Sequence, residues 1–273
     1  MSDPVGVTES TAMRSRHPRR NPVVPPQHGA WAFLALPVVL GMSAADWTPL
    51  WLVVAAAWVA AYPLSWALSG LAAGPRPERF RRPAMIWGAV FVPPAVLALW
   101  SQPWLWATAL VFVPLFGVNL AFARSRRERA LANDLVLIAE CTLLVPIIVG
   151  TSSGAGWAVP LDDMLTREVG VLAAVCALTL AGSTLHVKSL IRERRDPRYA
   201  VASRWFALAT LGLSVVVAAL GPVAGVAWLV PAFGLLAARA FWVPTRSWRP
   251  GRIGMVELGC FVVVAAAAAA AGM

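Results

Sequence analysis

Apolar residues in this chain come in blocks that are long, nearly continuous and evenly spaced. Nine such blocks run approximately over 30–45, 48–70, 84–100, 103–122, 131–150, 168–189, 200–220, 223–243 and 253–272. A helix needs about 20 apolar residues to cross the ~30 Å hydrocarbon core of a bilayer. Inside lipid every backbone N–H and C=O needs an internal partner, so segments of this kind are helical. The pattern predicts an all-α, polytopic membrane protein of about nine transmembrane helices. Residues 1–25 are polar and basic, and read as a disordered tail. Residues 26–273 read as a single transmembrane helical domain.

The polar positions between the blocks orient them. The chain has 23 Lys and Arg residues. They form five clusters, Arg14 to Arg20, Arg76 to Arg82, Arg124 to Arg129, Lys188 to Arg204 and Arg239 to Arg252, with Arg167 alone outside them. Two apolar blocks separate each cluster from the next. Basic residues translocate poorly, so loops rich in Lys and Arg stay in the cytoplasm. The amino terminus is therefore expected in the cytoplasm and the carboxyl terminus outside, in a cytoplasmic (inner) membrane.

Composition agrees with this class. Hydrophobic residues make up 59% of the chain and charged residues 13%, against about 25% charged in a soluble domain. The net charge of +10 does not point to nucleic acid, because the basic residues sit in short loops between spans. Cys141, Cys176 and Cys260 all lie within apolar blocks and form no CxxC pair, which leaves neither a disulfide framework nor a metal motif. No cofactor and no metal site is expected. Pro37, Pro63, Pro93, Pro94, Pro114, Pro146 and Pro231 lie within blocks, and each removes a donor and tends to bend its helix. Trp47, Trp51, Trp104, Trp106, Trp242 and Trp248 lie near block ends, where an aromatic belt is expected.

Polar residues inside the blocks carry the candidate chemistry, since charge in a bilayer is costly and is retained for a reason. Glu140 lies about nine residues into the fifth block, and Asn133 is seven residues earlier on the same expected face. Asp134 and Glu257 sit near the starts of their blocks, where acids favour helix amino termini. His186 and Lys188 close the sixth block, and Lys188 shares a face with Arg192. Lys188 is the one lysine among 22 arginines. Blocks four and six both end in a polar residue and a basic run, Asn119 to Arg129 and His186 to Arg198. His28 stands at the start of the first block and is suited to proton transfer or to a head group.

The stretch Pro25 to Gly41 opens with Pro25, His28, Gly29, Ala30 and Trp31. It resembles the Pro-x-x-His-Gly-Ala-Trp signature of the YwiC-like family of bacterial membrane proteins. Tyr62-Pro63-Leu64-Ser65 and Val187 to Arg194 (VKSLIRER) look like the same family. The resemblance extends over roughly residues 24 to 270 and implies an integral membrane protein; it brings no activity with it. Nine spans with this orientation are also the plan of UbiA-type prenyltransferases, a likeness of fold alone. Those enzymes hold Mg²⁺ with Asp-rich loops after spans two and six. Here the corresponding loops are dominated by arginine, with only Glu78 in one and Glu193 and Asp196 in the other. Such loops do not make the usual oxygen-rich Mg²⁺ site.

Three functions remain in view. One is binding or transforming an anionic lipid-like or isoprenoid ligand at the cytoplasmic face. In that case Lys188, Arg192, Arg194 and Asn119 would bind it, and His28, His186 or Glu140 would handle protons. A second is transport of a small solute with Glu140 as the protonatable group. A third is a non-catalytic role as a membrane partner in a larger assembly. Membrane lipids are the expected partners in each case.

Overall fold

The computed structural model describes residues 23–25, 29–153, 156–221, 223, 225–246 and 248–272. Among these residues all regular structure is helical. The order is α1 (Ala30–Ala44), α2 (Pro49–Ala73), α3 (Glu78–Ser101), α4 (Trp106–Arg124), α5 (Leu131–Gly150), α6 (Leu161–Met164), α7 (Arg167–Val187), α8 (Pro197–Leu220), α9 (Leu229–Trp242) and α10 (Pro250–Ala270). Apart from the single turn α6, each helix matches one apolar block. With their flanking 3-10 or π turns, eight helices are long and apolar enough to cross a membrane. The exception is α1, whose 15 residues span ~22 Å at 1.5 Å per residue. The protein is thus an all-α, multi-pass membrane protein, with one of the nine expected spans short.

Local chemistry sets the helix ends. Thr48 caps α2, its hydroxyl accepting from the Leu50 N–H, with Pro49 in the first turn. Thr166 caps α7 by accepting from the Val169 N–H at 3.3 Å. Asp196 caps α8 by accepting from the Arg198 N–H at 2.9 Å, ahead of Pro197. These are the short oxygen-bearing side chains that satisfy the orphan donors of a first turn. At its other end α8 stops on Gly221, whose φ of 57° suits a residue without a Cβ. The third block was expected from residue 84, but α3 begins at Glu78 and takes Arg79, Arg81 and Arg82 into its first turns. Long basic side chains form helix readily and carry their charge out along the surface. The prolines of the blocks are accommodated within helices, except that Pro231 falls in the first turn of α9.

Packing centres on α1, which touches α2, α5, α7 and α10. Its Leu36 and Leu40 join Val145 of α5, Leu172 of α7 and Val264 of α10 in the main core. The approach of α1 to α5 depends on Gly41, where a Cβ would lie 2.8 Å from Ile148 Cβ. Helix α3 packs mainly on α2, with the Phe80 ring over Gly70. Most of α3 and α4 faces outward.

Hydrogen bonds gather the turns at each end. Ser152 Oγ donates to Asp46 O at 2.8 Å, Gln102 Nε2 to Ser153 O at 3.1 Å and the Trp104 N–H to Gly156 O at 3.0 Å. At the other end Lys188 Nζ donates to Arg129 O at 2.6 Å, so the basic clusters at 124–129 and 188–195 meet. Trp104, expected in an aromatic belt, is instead buried, its indole N–H bonded to Gln102 Oε1 at 2.9 Å. An indole buries a large apolar area once its N–H has a partner. Trp47 and Trp106 remain exposed.

Replacing Gly41 by Val should push α1 away from α5. The expected loss is about 1–3 kcal/mol, the usual range for an overpacked core. It would be read as a lower melting temperature of the detergent-purified protein, and an unchanged melting temperature would contradict the close approach.

Candidate functional site

The polar side chains inside the bundle fall into three groups, each joining different helices. The first joins α4 and α5. Asn119 Nδ2 donates to Glu140 Oε1 at 2.9 Å, and both residues are half-buried. Thr108 and Asn119 are eleven residues apart, which at about 100° per residue returns to the same face of α4. Ile147 and Glu140, seven residues apart, likewise share a face of α5. Between α4 and α5 runs a groove of about 210 Å³, lined by Thr108, Val111, Phe112, Leu143, Pro146 and Ile147 among others. The groove and the Asn119–Glu140 pair therefore lie along one seam.

The second group joins α5 and α7. Lys188 is buried, with its Nζ 2.7 Å from Asp134 Oδ2 as well as bonded to Arg129 O. A π turn over Lys188–Arg192 follows α7 and closes with the Glu193 N–H on Lys188 O at 2.8 Å. Arg192 also faces Asp134 and is itself exposed, as is Arg194. The lysine was expected to offer its ammonium to a ligand; here that ammonium is held by the protein.

The third group joins α7, α8, α9 and α10. Glu257 Oε2 accepts from Ser183 Oγ at 2.5 Å and from Arg239 Nη1. His186 Nε2 stands 4.0 Å from Glu257 Oε1, and His186 Nδ1 is 3.4 Å from Ser203 Oγ. Ser183 and His186 are each 1% exposed, Arg239 4% and Glu257 6%. His186 Nε2, Glu257 Oε1 and Arg239 Nε are buried without a hydrogen-bond partner. Unsatisfied groups at this density are costly and call for an explanation.

The candidates read from the sequence thus divide. Glu140 meets Asn119, while His186 meets Glu257 and Lys188 meets Asp134. Among the described residues Glu140 and His186 have no partner in common, and the Asn133 amide donates to Glu128 O at 3.0 Å rather than to Glu140. His28 lies outside the described residues. Sequence reasoning missed Arg239 and Ser183. Along the chain Arg239 groups with the loop cluster ending at Arg252, although it stands between Ala238 and Ala240 inside an apolar block. That position was the available signal. Among the described residues no group of three or more His, Cys, Asp or Glu is placed to hold a metal ion.

The end opposite the basic clusters carries a cleft of about 360 Å³, lined by Asp46, Ser152, Ser153, Asp163, Thr166 and Glu168 among others. Ser153 Oγ donates to Asp163 Oδ2 there at 2.5 Å.

Comparison with known proteins finds that the profile of a family described as YwiC-like protein matches residues 24–149. A Bacillus subtilis protein named Uncharacterized protein YwiC is 29% identical over 257 residues, covering 88% of this chain and 94% of its own length. A Haemophilus influenzae protein named Uncharacterized protein is 27% identical over 246 residues, covering 87% of this chain and 93% of its own. No solved structure matches the chain.

The Lys188–Asp134 pair gives a test of the second group. Removing one partner of a buried pair leaves an uncompensated charge, worth about 3 kcal/mol. Asp134→Asn alone should therefore lower the melting temperature more than the double change Asp134→Asn with Lys188→Met. Equal losses in the single and double variants would mean that the pair carries no coupling.

Proposed function

We propose that the chain is a member of the YwiC-like family and a cytoplasmic-membrane protein that binds an amphipathic, lipid-like ligand along the α4–α5 seam. Its amino terminus and basic loops lie in the cytoplasm, and residues 26–273 act as one membrane domain behind a basic tail. The observation that carries the reading is the half-buried Asn119–Glu140 pair, on the same faces of α4 and α5 as the apolar groove and further along them toward the basic end. A carboxyl group and an amide at that depth are costly next to hydrocarbon, and a ligand with a hydrogen-bonding centre offsets that cost.

The dimensions suit such a ligand. A groove of 210 Å³ takes about seven groups of ~30 Å³, enough for one length of chain. From Thr108 to Arg124 is sixteen residues, ~24 Å along the helix. An amphiphile lying there has its tail beside Thr108 and Val111, a polar atom at Asn119 and Glu140, and an anionic head at the basic end. Arg126, Arg127 and Arg129 are exposed at that end, and the Lys188–Arg129 bond brings the exposed Arg192 and Arg194 alongside. Arginine binds phosphate through paired N–H groups. Lys188 supports the arrangement as the tie between the two loops, and the arginines meet the head.

Farnesyl monophosphate is a suitable probe, with binding to the purified full-length protein read by native mass spectrometry. Asn119→Leu should weaken binding about tenfold, the loss expected for a hydrogen bond in an apolar site. Reversing Arg126 and Arg127 to Glu should weaken it further and remove its salt dependence. Folded variants that retain the probe as well as the parent protein would end this reading.

A further inference from the structure

The buried group on α7, α9 and α10 has a charge balance that restricts what it can take up. Arg239 and Glu257 cancel, and a neutral His186 leaves the group uncharged. Among the described residues its surroundings add no further compensating charge. Helix α8 contributes Ser203, and the next residue, Arg204, is turned over the Phe241 ring at 5.6 Å. Cys260 of α10 lies beside Arg239. Helix α1, packed on both α7 and α10, has no titratable side chain between Ala30 and Ala44. The titratable groups of α5 are engaged elsewhere, Asp134 with Lys188, Glu140 with Asn119 and Cys141 with Phe33 O.

A proton entering alone would leave the group with net positive charge in a low-dielectric interior. An anion entering alone would leave it negative. Either outcome is opposed by the full penalty of an unpaired buried charge. The two together leave it neutral. Once Glu257 is protonated, its neutral carboxyl releases the Arg239 guanidinium. What then faces the vacated position is a set of donors: Arg239 Nη1 and the unpartnered Arg239 Nε, the Ser183 hydroxyl, and the unpartnered His186 Nε2 in the tautomer that places the proton there, with Nδ1 accepting from Ser203 Oγ. A cluster of donors around a guanidinium is the chemistry of an anion site.

From this we infer that Ser183, His186, Arg239 and Glu257 form a proton-controlled site for a small monovalent anion, in which the Glu257 carboxylate occupies the anion's place until it is protonated. The proton comes from water at the basic end of the bundle. Glu257 lies seven residues into α10, ~10 Å along that helix, and His186 is one residue from the end of α7. The carboxylate gains the proton, and the anion replaces it at Arg239 with no net change of charge. This site is separate from the α4–α5 seam, and it moves the role of protonatable intramembrane acid from Glu140 to Glu257.

The test uses the full-length protein in detergent, with chloride, bromide and chlorate compared against gluconate at equal ionic strength. The wild-type melting temperature should rise with the small anions in mildly acidic buffer and not in mildly alkaline buffer. Glu257→Gln, which keeps the carboxyl shape without its charge, should bind the anions at both pH values, about tenfold tighter than wild type under alkaline conditions. An anion response in wild type that is absent, or the same at both pH values, overturns the inference. So does a folded Glu257→Gln protein without a response. If that variant does not fold, Ser183→Ala decides, because it leaves the Arg239–Glu257 pair intact. It should weaken acid-dependent anion binding severalfold, and unchanged binding overturns the assignment.

Discussion

Arg239 and Glu257 cancel each other's charge inside the bundle, and the arrangement of the last four helices depends on that cancellation. Either residue alone would stand as an unpaired charge in an almost fully buried position, at a cost of several kcal/mol. Neither helix can therefore turn its charged residue away without the other following. Ser183 draws α7 to the same carboxylate, and His186 faces Ser203 of α8. Apolar surface gives no comparable preference here, because lipid tails solvate leucine and valine as well as a neighbouring helix does. Hydrogen bonds and ion pairs choose the neighbours, and close packing then fixes the distances.

The same logic extends to the other polar pairs. Asn119–Glu140 joins α4 to α5, Lys188–Asp134 joins α5 to α7, and the Glu257 group joins α7 to α9 and α10. A run of polar joints thus crosses the bundle from α4 to α10. Helices α1, α2 and α3 are held differently. Gly41 meets Ile148, and Gly70 meets the Phe80 ring, at distances that leave no room for a side chain. One part of the protein is specified by paired polar side chains and the other mainly by shape, with the Trp58 indole N–H on Leu34 O at 3.1 Å as a polar tie between α2 and α1.

This division explains what could be read from the sequence. Block length marked out the nine apolar helices, eight of them long enough to span, because it depends on transfer energies that act on each segment alone. The identity of Glu140, His186 and Lys188 as unusual residues was legible for the same reason. Their partners were not, because partnership depends on which helix faces which. Arg239 shows the difficulty most directly. It was counted with the loop arginines that follow it, although it lies within α9 and is buried. Trp104 was placed at an interface by its position in the chain, and only its bond to Gln102 explains why it turned inward.

Helix α1 is the earliest of the ten helices and, once the 3-10 turns flanking α9 are counted with it, the shortest unit that corresponds to an apolar block, yet it lies at the centre of the packing. Its partners α5, α7 and α10 are synthesised after it, and α10 is the last of all. A helix of this length gains little from entering a bilayer by itself, so it acquires its setting only when those later helices arrive. The burial of α1 is complete only with α10 in place, so one short helix ties together segments that lie more than 200 residues apart in the chain.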